Sequence, residues 1–345
     1  MCVYWCISLS NVFARGVLVA GIAVTPLHPG TGRAPGVVDL PVARDSLGYP
    51  IVFASALKGA LKALCGRRLC RKDGAICVDD SGRLRCDDCG DSCMLCCCLF
   101  GSEPGESETQ PAVLSVVDFV PFAFPTPSVD LGYVYVTSRL LLHRVYLILE
   151  SLDYARSSKA GELKQVVGEL IVKSSDDESI ILGKPRHDTI DVAGLRERVR
   201  AVELSDTLKS KLAEILGKIG GLASTLSERL VVLPDDKAPS VIEKSLIKIT
   251  RVRLRRDRKT VVEGALWTEE YIPPGTVFIG GIIALPTENE YCRKYCSESS
   301  VSEKVLERLL DEFKSRVLKA ENDVVYFVVG GKETIGKGLI KAVLC

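Results

Sequence analysis

The stretch LHPGTGRAPGVVDLPVARDSLGYPIVFASALKGALK, from Leu27 to Lys62, decides how the rest of the chain is read. Upstream, residues 13–27 are rich in Val, Ala, Gly and Ile and stop at Pro26, which predicts a first strand. Residues 29–50 are loop-like, with five glycines or prolines in the first eight positions. Residues 55–64, SALKGALKAL, have helical spacing, with Ser55 placed to cap the N-terminus. A strand, a long loop holding His28 and Asp39, and a helix therefore follow one another.

Outward from this stretch, residues 113–124 and 133–137 read as strands, and residues 140–152 and 159–172 as helical or mixed segments. Residues 174–262 are polar and charged with few strong core patterns, so they read as an insertion rather than a second compact domain. Within them, residues 246–254 and 260–267 can form a hairpin turning at 256–259. Residues 277–284 form another apolar strand, and residues 302–318 an amphipathic helix with Val305, Leu309, Phe313 and Leu318 near helical spacing. Residues 324–329 read as the last strand. Alternating strands and helices around a long insertion predict an α+β sheet domain of ferredoxin-like type.

The 345 residues are 47% hydrophobic and 26% charged, enough for a core and against global disorder. Forty-five basic against 44 acidic residues leave a net charge of +1, so any nucleic-acid surface must come from local segregation of charge. Residues 1–10 lack a basic leader region, and no run reaches the ~18–20 apolar residues of a membrane helix. The expectation is a cytoplasmic chain without membrane contact. Three Asn, two Gln and two Met form a thermophile pattern. In such cells intracellular disulfides persist.

Four patterns can carry chemistry. The segment Gly330-Gly331-Lys332-Glu-Thr-Ile-Gly336-Lys337-Gly338 nearly spells a phosphate-binding P-loop from Gly331, but Gly338 stands where Ser or Thr should hold magnesium. Nucleotide hydrolysis is a poor reading, yet backbone amides there can approach phosphates. His28 and Asp39 share one loop; a loop carboxylate can bind metal or take a proton, or merely shape a turn before Pro41. Lys58 and Lys62 share a face of the helix, as an anion site or a solvated surface. Lys248, Arg251, Arg253 and Arg255 lie in the hairpin, where alternation puts the three arginines on one face.

Taken in order, these blocks resemble the backbone subunit of type III-B CRISPR complexes, within the RAMP superfamily of ferredoxin-like RNA-binding proteins. The resemblance rests on His28-Pro-Gly-Thr-Gly32, Val38-Asp39-Leu-Pro41, Arg44 and Ser55-Ala-Leu-Lys58-Gly59. It continues through Leu99-Phe-Gly101, Val117-Asp118, Tyr133-Val-Tyr-Val-Thr137 with Arg139, GALWTEEYIPPG at 264–275 and the terminal glycine loop. One departure is Ala54-Ser55-Ala56, where many relatives have glycine and a second serine.

The resemblance implies a single RAMP domain over 1–345, with a thumb drawn from residues 150–262. Copies would stack on guide RNA beside other subunits of the complex, gripping it through Ser55, Lys58, Gly59, Lys62, Arg44, Arg139 and the glycine loop. It also implies cleavage of guide-paired target RNA at regular intervals, dependent on a divalent metal (Mg or Mn). Asp39 would be required, with His28, Glu269 and Tyr271 as neighbours. The alternatives are a structural RNA-binding subunit that does not cut, or a metal-independent RAMP nuclease that matures guide RNA.

A cysteine-rich insert lies at 65–98 and holds nine of the fourteen cysteines. Cys86-x2-Cys89 and Cys93-x2-Cys96 have the spacing of zinc knuckles, with Cys65, Cys70 or Cys77 able to complete a site. Structural zinc and disulfides are both open readings.

Overall fold

The computed structural model describes residues 14–33, 36, 38–72, 75–79, 83–103, 106 and 109–345. The reading of residues 1–10 falls outside them. The chain runs β1 (Arg15–Ala23), α1 (Ala54–Leu69), a two-residue ladder of β2 (Arg71–Lys72) and β3 (Ala75–Ile76), α2 (Cys86–Cys89) and α3 (Met94–Phe100). Then come β4 (Leu114–Val116), β5 (Val120–Ser128), β6 (Gly132–Ser138), α4 (Arg139–Tyr154), α5 (Ser158–Lys173), β7 (Ser179–Leu182), β8 (Thr189–Val192) and β9 (Leu195–Val202). α6 (Asp206–Leu216), α7 (Leu222–Arg229), β10 (Leu230–Leu233) and α8 (Ala238–Ser245) precede a hairpin of β11 (Ile247–Leu254) and β12 (Val261–Tyr271). β13 (Val277–Ala284), α9 (Glu290–Cys296), α10 (Glu303–Glu312), β14 (Val324–Val328) and β15 (Leu339–Leu344) complete the chain.

One sheet organises the molecule, in the order β14-β15-β1-β13-β5-β6-β10-β7-β9-β8, with β4 also on β13. β1 sits inside it between β13 and β15, antiparallel to both. Its continuous apolar sequence, RGVLVAGIA, suits a strand covered on both faces. Alternation sends Val17 and Val19 into the core shared with α1, α3 and α10, and Leu18 and Ala20 into the core shared with α4 and α5. The result is a mixed α/β palm with helices on both faces.

Local chemistry explains the helix ends. α4 begins where the Ser138 hydroxyl accepts the Leu141 amide at 3.2 Å. Ser55, expected to cap α1, instead lies inside its first turn, because Ala54 N–H is satisfied by Asp118 Oδ1 at 2.6 Å. α10 stops at Glu312 and widens into a π-turn over Phe313–Leu318. Leu318 lies five positions after Phe313, and i→i+5 winding keeps both in the core.

Two segments depart from the expectation. Residues 179–233 extend the central sheet: β10 pairs parallel with β6, and β7 parallel with β9. Their strands SIIL and LVVL are buried at every position, so no alternation marks them. Beyond the glycine loop, β15 follows β14 and pairs with it and with β1, so residues 324–329 are not the last strand. The expected hairpin forms, and it leaves the sheet as a separate two-stranded ribbon.

Two of the quartet Cys86, Cys89, Cys93 and Cys96 are joined to other sulfurs. Cys65 bonds Cys96, Cys86 bonds Cys97 and Cys98 bonds Cys292. A sulfur committed to another sulfur offers no thiolate for zinc. The Cys89 side chain falls outside the described residues, and among them no group of three or more His, Cys, Asp or Glu is placed to hold a metal. Successive helical residues point about 100° apart. Cys96, Cys97 and Cys98 therefore tie α3 in three directions, to α1, α2 and α9. Cys292 bonds Cys98 rather than Cys296, its neighbour one turn along α9.

Candidate nucleic-acid interface

The loop after β1 lies against the end of β12 in two places. Leu27 and Ile272 exchange amide bonds of 3.0 and 2.9 Å; Leu40 N–H donates to Thr268 O, and Glu270 N–H to Leu40 O, both at 3.0 Å. These contacts carry His28 and Asp39 to Thr268–Tyr271, far away in sequence. Alternation along β12 then divides the side chains. Glu269 and Tyr271 face the glycine loop, while Thr268 and Glu270 face the loop holding Asp39 and Arg44.

His28 is buried, and its Nδ1 lies 2.8 Å from the Glu270 carbonyl. A carbonyl only accepts, so Nδ1 is the donor in this bond. The ring packs 5.4 Å from that of Tyr271. Two glycines make room. A Cβ at Gly30 would lie 2.7 Å from His28 Nε2, and one at Gly330 (φ +86°) 2.6 Å from the His28 carbonyl oxygen. That oxygen accepts Gly331 N–H at 3.1 Å, and Gly338 N–H donates to Pro26 O at 3.0 Å, closing the glycine loop onto the His28 loop.

Asp39 is exposed. Its Oδ2 accepts Thr268 N–H at 2.7 Å and Thr268 Oγ1–H at 2.9 Å. Those backbone and side-chain bonds hold its carboxyl below the ordinary value, aided by Arg33. Glu269 is 2% exposed. It accepts from Trp267 Nε1 (2.7 Å), Arg251 Nε (3.1 Å), Lys332 Nζ and Tyr271 OH. Burial alone would raise its pKa, but these donors, Lys332 first, outweigh burial and pull it down to about 2. Tyr271 is fully buried; burial, then its bond to Glu269, pushes its hydroxyl up. Lys337 Nζ sits 5.2 Å from the centre of the Tyr271 ring.

Of the four expected catalytic residues, Asp39 alone is open to solvent. Glu269 has two donors on each oxygen and is ionised at neutral pH, so it anchors the glycine loop through Lys332. His28 and Tyr271 complete the packed base under that loop.

The expected RNA-contacting residues divide similarly. Ser55 and Gly59 are exposed on α1. Lys58 lies beside them, its pKa lowered by burial and then by Lys62, with Glu103 opposing. Lys62 is committed to Glu103 at 2.6 Å and Gly101 O at 2.9 Å. Arg44 grips Glu270 and also Glu243 at 2.7 Å. Arg139 lies apart, at the start of α4, with Asp176 3.1 Å away. Gly331 and Gly336 are exposed, while Lys332 and Lys337 turn inward onto Glu269 and Tyr271. Thr268, Trp267, Glu270 and Asp118 lie in the quoted motifs but were given no role from sequence, and Glu243 was not singled out. For the first three, alternation through GALWTEEYIPPG was the available signal.

A family model for the RAMP superfamily matches residues 22–341. The chain belongs to that superfamily. Among RAMP proteins it is Cmr4-like. It is 28% identical over 333 residues to the "CRISPR system CMR subunit Cmr4" of Saccharolobus solfataricus, covering 92% of this chain and 93% of the relative. It is 27% identical over 335 residues to the "CRISPR system Cmr endoribonuclease Cmr4" of Pyrococcus furiosus, covering 96% of each. Its fold matches a chain of a type III-B Cmr-beta structure solved by cryo-EM in the apo state. There the TM-score is 0.69 and the identity 25%, over 96% of this chain and 97% of the other. No helix among the described residues of this RAMP chain is long and apolar enough to cross a membrane.

Proposed function

We propose that this chain is the RNA-binding backbone subunit of a type III-B, Cmr-type effector complex, repeated along a CRISPR guide RNA beside other subunits. The observation that carries this reading is the match to two Cmr4 chains over more than nine-tenths of every chain involved. The surface suits RNA binding. The exposed start of α1 offers Ser55, Gly59 and the cation of Lys58, and the glycine loop offers close backbone approach to phosphates. Reconstitution with guide RNA tests it. Several copies should bind each guide, with log affinity falling linearly against log salt. A chain that stays unbound to guide at low salt, alone and with its partner subunits, rejects the reading.

A second reading adds cleavage of the guide-paired target, and the exposed, ionised Asp39 favours it. In this chemistry a target 2′-oxygen attacks the adjacent phosphorus while the bond to the 5′-oxygen breaks. The products are a 2′,3′-cyclic phosphate and a 5′-hydroxyl; the proton lost from the 2′-oxygen balances the one gained by the leaving oxygen. A carboxylate held below its ordinary pKa is a weak base, which favours orienting a cation over proton abstraction. A hydrated divalent ion needs few protein ligands when phosphates supply others, so Asp39 is a fitting residue to hold Mg or Mn. The ion, when bound, would offset charge building on the phosphate. Asp39→Ala should stop cutting while guide binding and assembly persist. Undiminished cutting by that variant excludes this reading, and precursor cleavage by the isolated chain in EDTA would favour guide maturation instead.

A further inference from the structure

We infer that Thr268 is a positioning residue for the Asp39 carboxylate, and that its hydroxyl sets the orientation Asp39 presents to RNA. This rests on the Asp39-dependent cleavage proposed above. Three hydrogen bonds join the two residues. Thr268 N–H and Oγ1–H converge on Asp39 Oδ2 at 2.7 and 2.9 Å, and Asp39 N–H returns to Thr268 Oγ1 at 2.9 Å. Two donors on one carboxylate oxygen restrain rotation of the side chain. Asp39 Oδ1 makes no further hydrogen bond among the described residues, which leaves it available to a cation or to RNA.

The restraint matters because of where Asp39 sits. It is exposed on a loop without regular structure, where a free carboxylate would sample several rotamers. Thr268 lies on β12, paired on one side with β11 and bridged on the other by the Leu40 segment, so its backbone is fixed on both sides. The flexible element therefore borrows its geometry from the rigid one, which lowers the ordering cost at the reaction step. An amide N–H is present at 268 for every residue except proline. The hydroxyl needs Thr or Ser.

The test uses the assembled complex with guide and target RNA, comparing wild type, Thr268→Val, Thr268→Ser and Asp39→Ala across pH. Valine keeps the shape of threonine and deletes the hydroxyl. Thr268→Val should assemble and bind guide normally yet cut roughly 10-fold to 100-fold more slowly, the cost expected of a misplaced catalytic group. Its acid limb should move to higher pH, because the carboxylate has lost a donor. Thr268→Ser should restore both rate and profile. Wild-type rate and profile in Thr268→Val, or a serine variant as defective as valine, overturns the inference. A structure of the Thr268→Val chain keeps the two proposals apart. If Asp39→Ala still cuts, the cleavage reading fails. If the Asp39 carboxylate keeps its single orientation in Thr268→Val, the positioning fails on its own.

Discussion

Arg44 and Glu270 meet as a two-pronged pair, Nη1 to Oε2 at 2.7 Å and Nη2 to Oε1 at 3.0 Å, with Glu270 1% exposed. Val42 N–H adds a third donor to the carboxylate at 3.2 Å. A planar guanidinium matches a carboxylate in this way and a lysine does not. Through Glu243 the same arginine also reaches α8. Arg44 thus fastens the loop holding Asp39 to β12.

Removing that guanidinium would leave Glu270 buried with less compensation. Arg44→Ala should cost on the order of 3 kcal/mol of stability, and Arg44→Lys should recover only part of it. Thermal unfolding of both variants checks this. The pair is chiefly structural if the salt dependence of guide binding stays as in wild type.

Lys58 and Lys62 should behave differently despite sharing a helix face. Lys58 has no ion pair or hydrogen bond among the described residues, whereas Lys62 is held by Glu103 and Gly101. Lys58→Ala should weaken guide binding without regard to sequence and reduce the slope of log affinity against log salt by about 0.7–1, as for one lost phosphate contact. Lys62→Ala should change the slope less and loosen residues 101–103. Equal slopes for the two variants would contradict this division.

Acid should expose the role of Glu269. Its folded pKa of about 2 lies below the ordinary 4.5, so its contribution is present above about 4.5 and is lost as pH falls towards 2. Glu269→Gln keeps the shape and removes the charge. Melting temperatures measured between pH 2 and 7 should show a wild-type advantage near neutrality that shrinks on acidification. A gap independent of pH would mean that the carboxylate charge is not what binds Lys332 and Arg251 there.

The bond between Cys98 and Cys292 should matter most among the three, since it closes 194 residues of chain. By loop-closure entropy such a link contributes about 5 kcal/mol. Cys98→Ala with Cys292→Ala should lower the melting temperature without reductant, and the difference should vanish in strong reductant under denaturing equilibration. Alkylation of unfolded, unreduced protein should leave Cys65, Cys86, Cys96, Cys97, Cys98 and Cys292 protected. Reaction at those six, with zinc released, would favour the metal reading of the insert.

Much of the palm was legible. β1 and β13 announce themselves as long apolar runs, and the β11–β12 hairpin by two strands around a charged turn. The short strands β7 and β10 carry four buried residues each, too few to separate a strand from any apolar fragment. Of the site, His28 and Asp39 could be picked out from one loop, while Glu269 and Tyr271 came from family resemblance.

By itself the sequence determined the family and the residues supplied: a histidine and an aspartate in one loop, alternating side chains on β12, lysines on α1 and a terminal glycine loop. Those are local properties, set by spacing and residue type along a short length of chain. Tertiary structure alone decided which charges remain available. Arg44, Lys62 and Lys332 read as phosphate ligands in sequence, yet each meets a glutamate brought from elsewhere in the chain. It also decided that Cys86 and Cys96 would bond Cys97 and Cys65. Spacing fixes only which partners are near along the chain, whereas a salt bridge or disulfide needs two groups within a few ångströms in space.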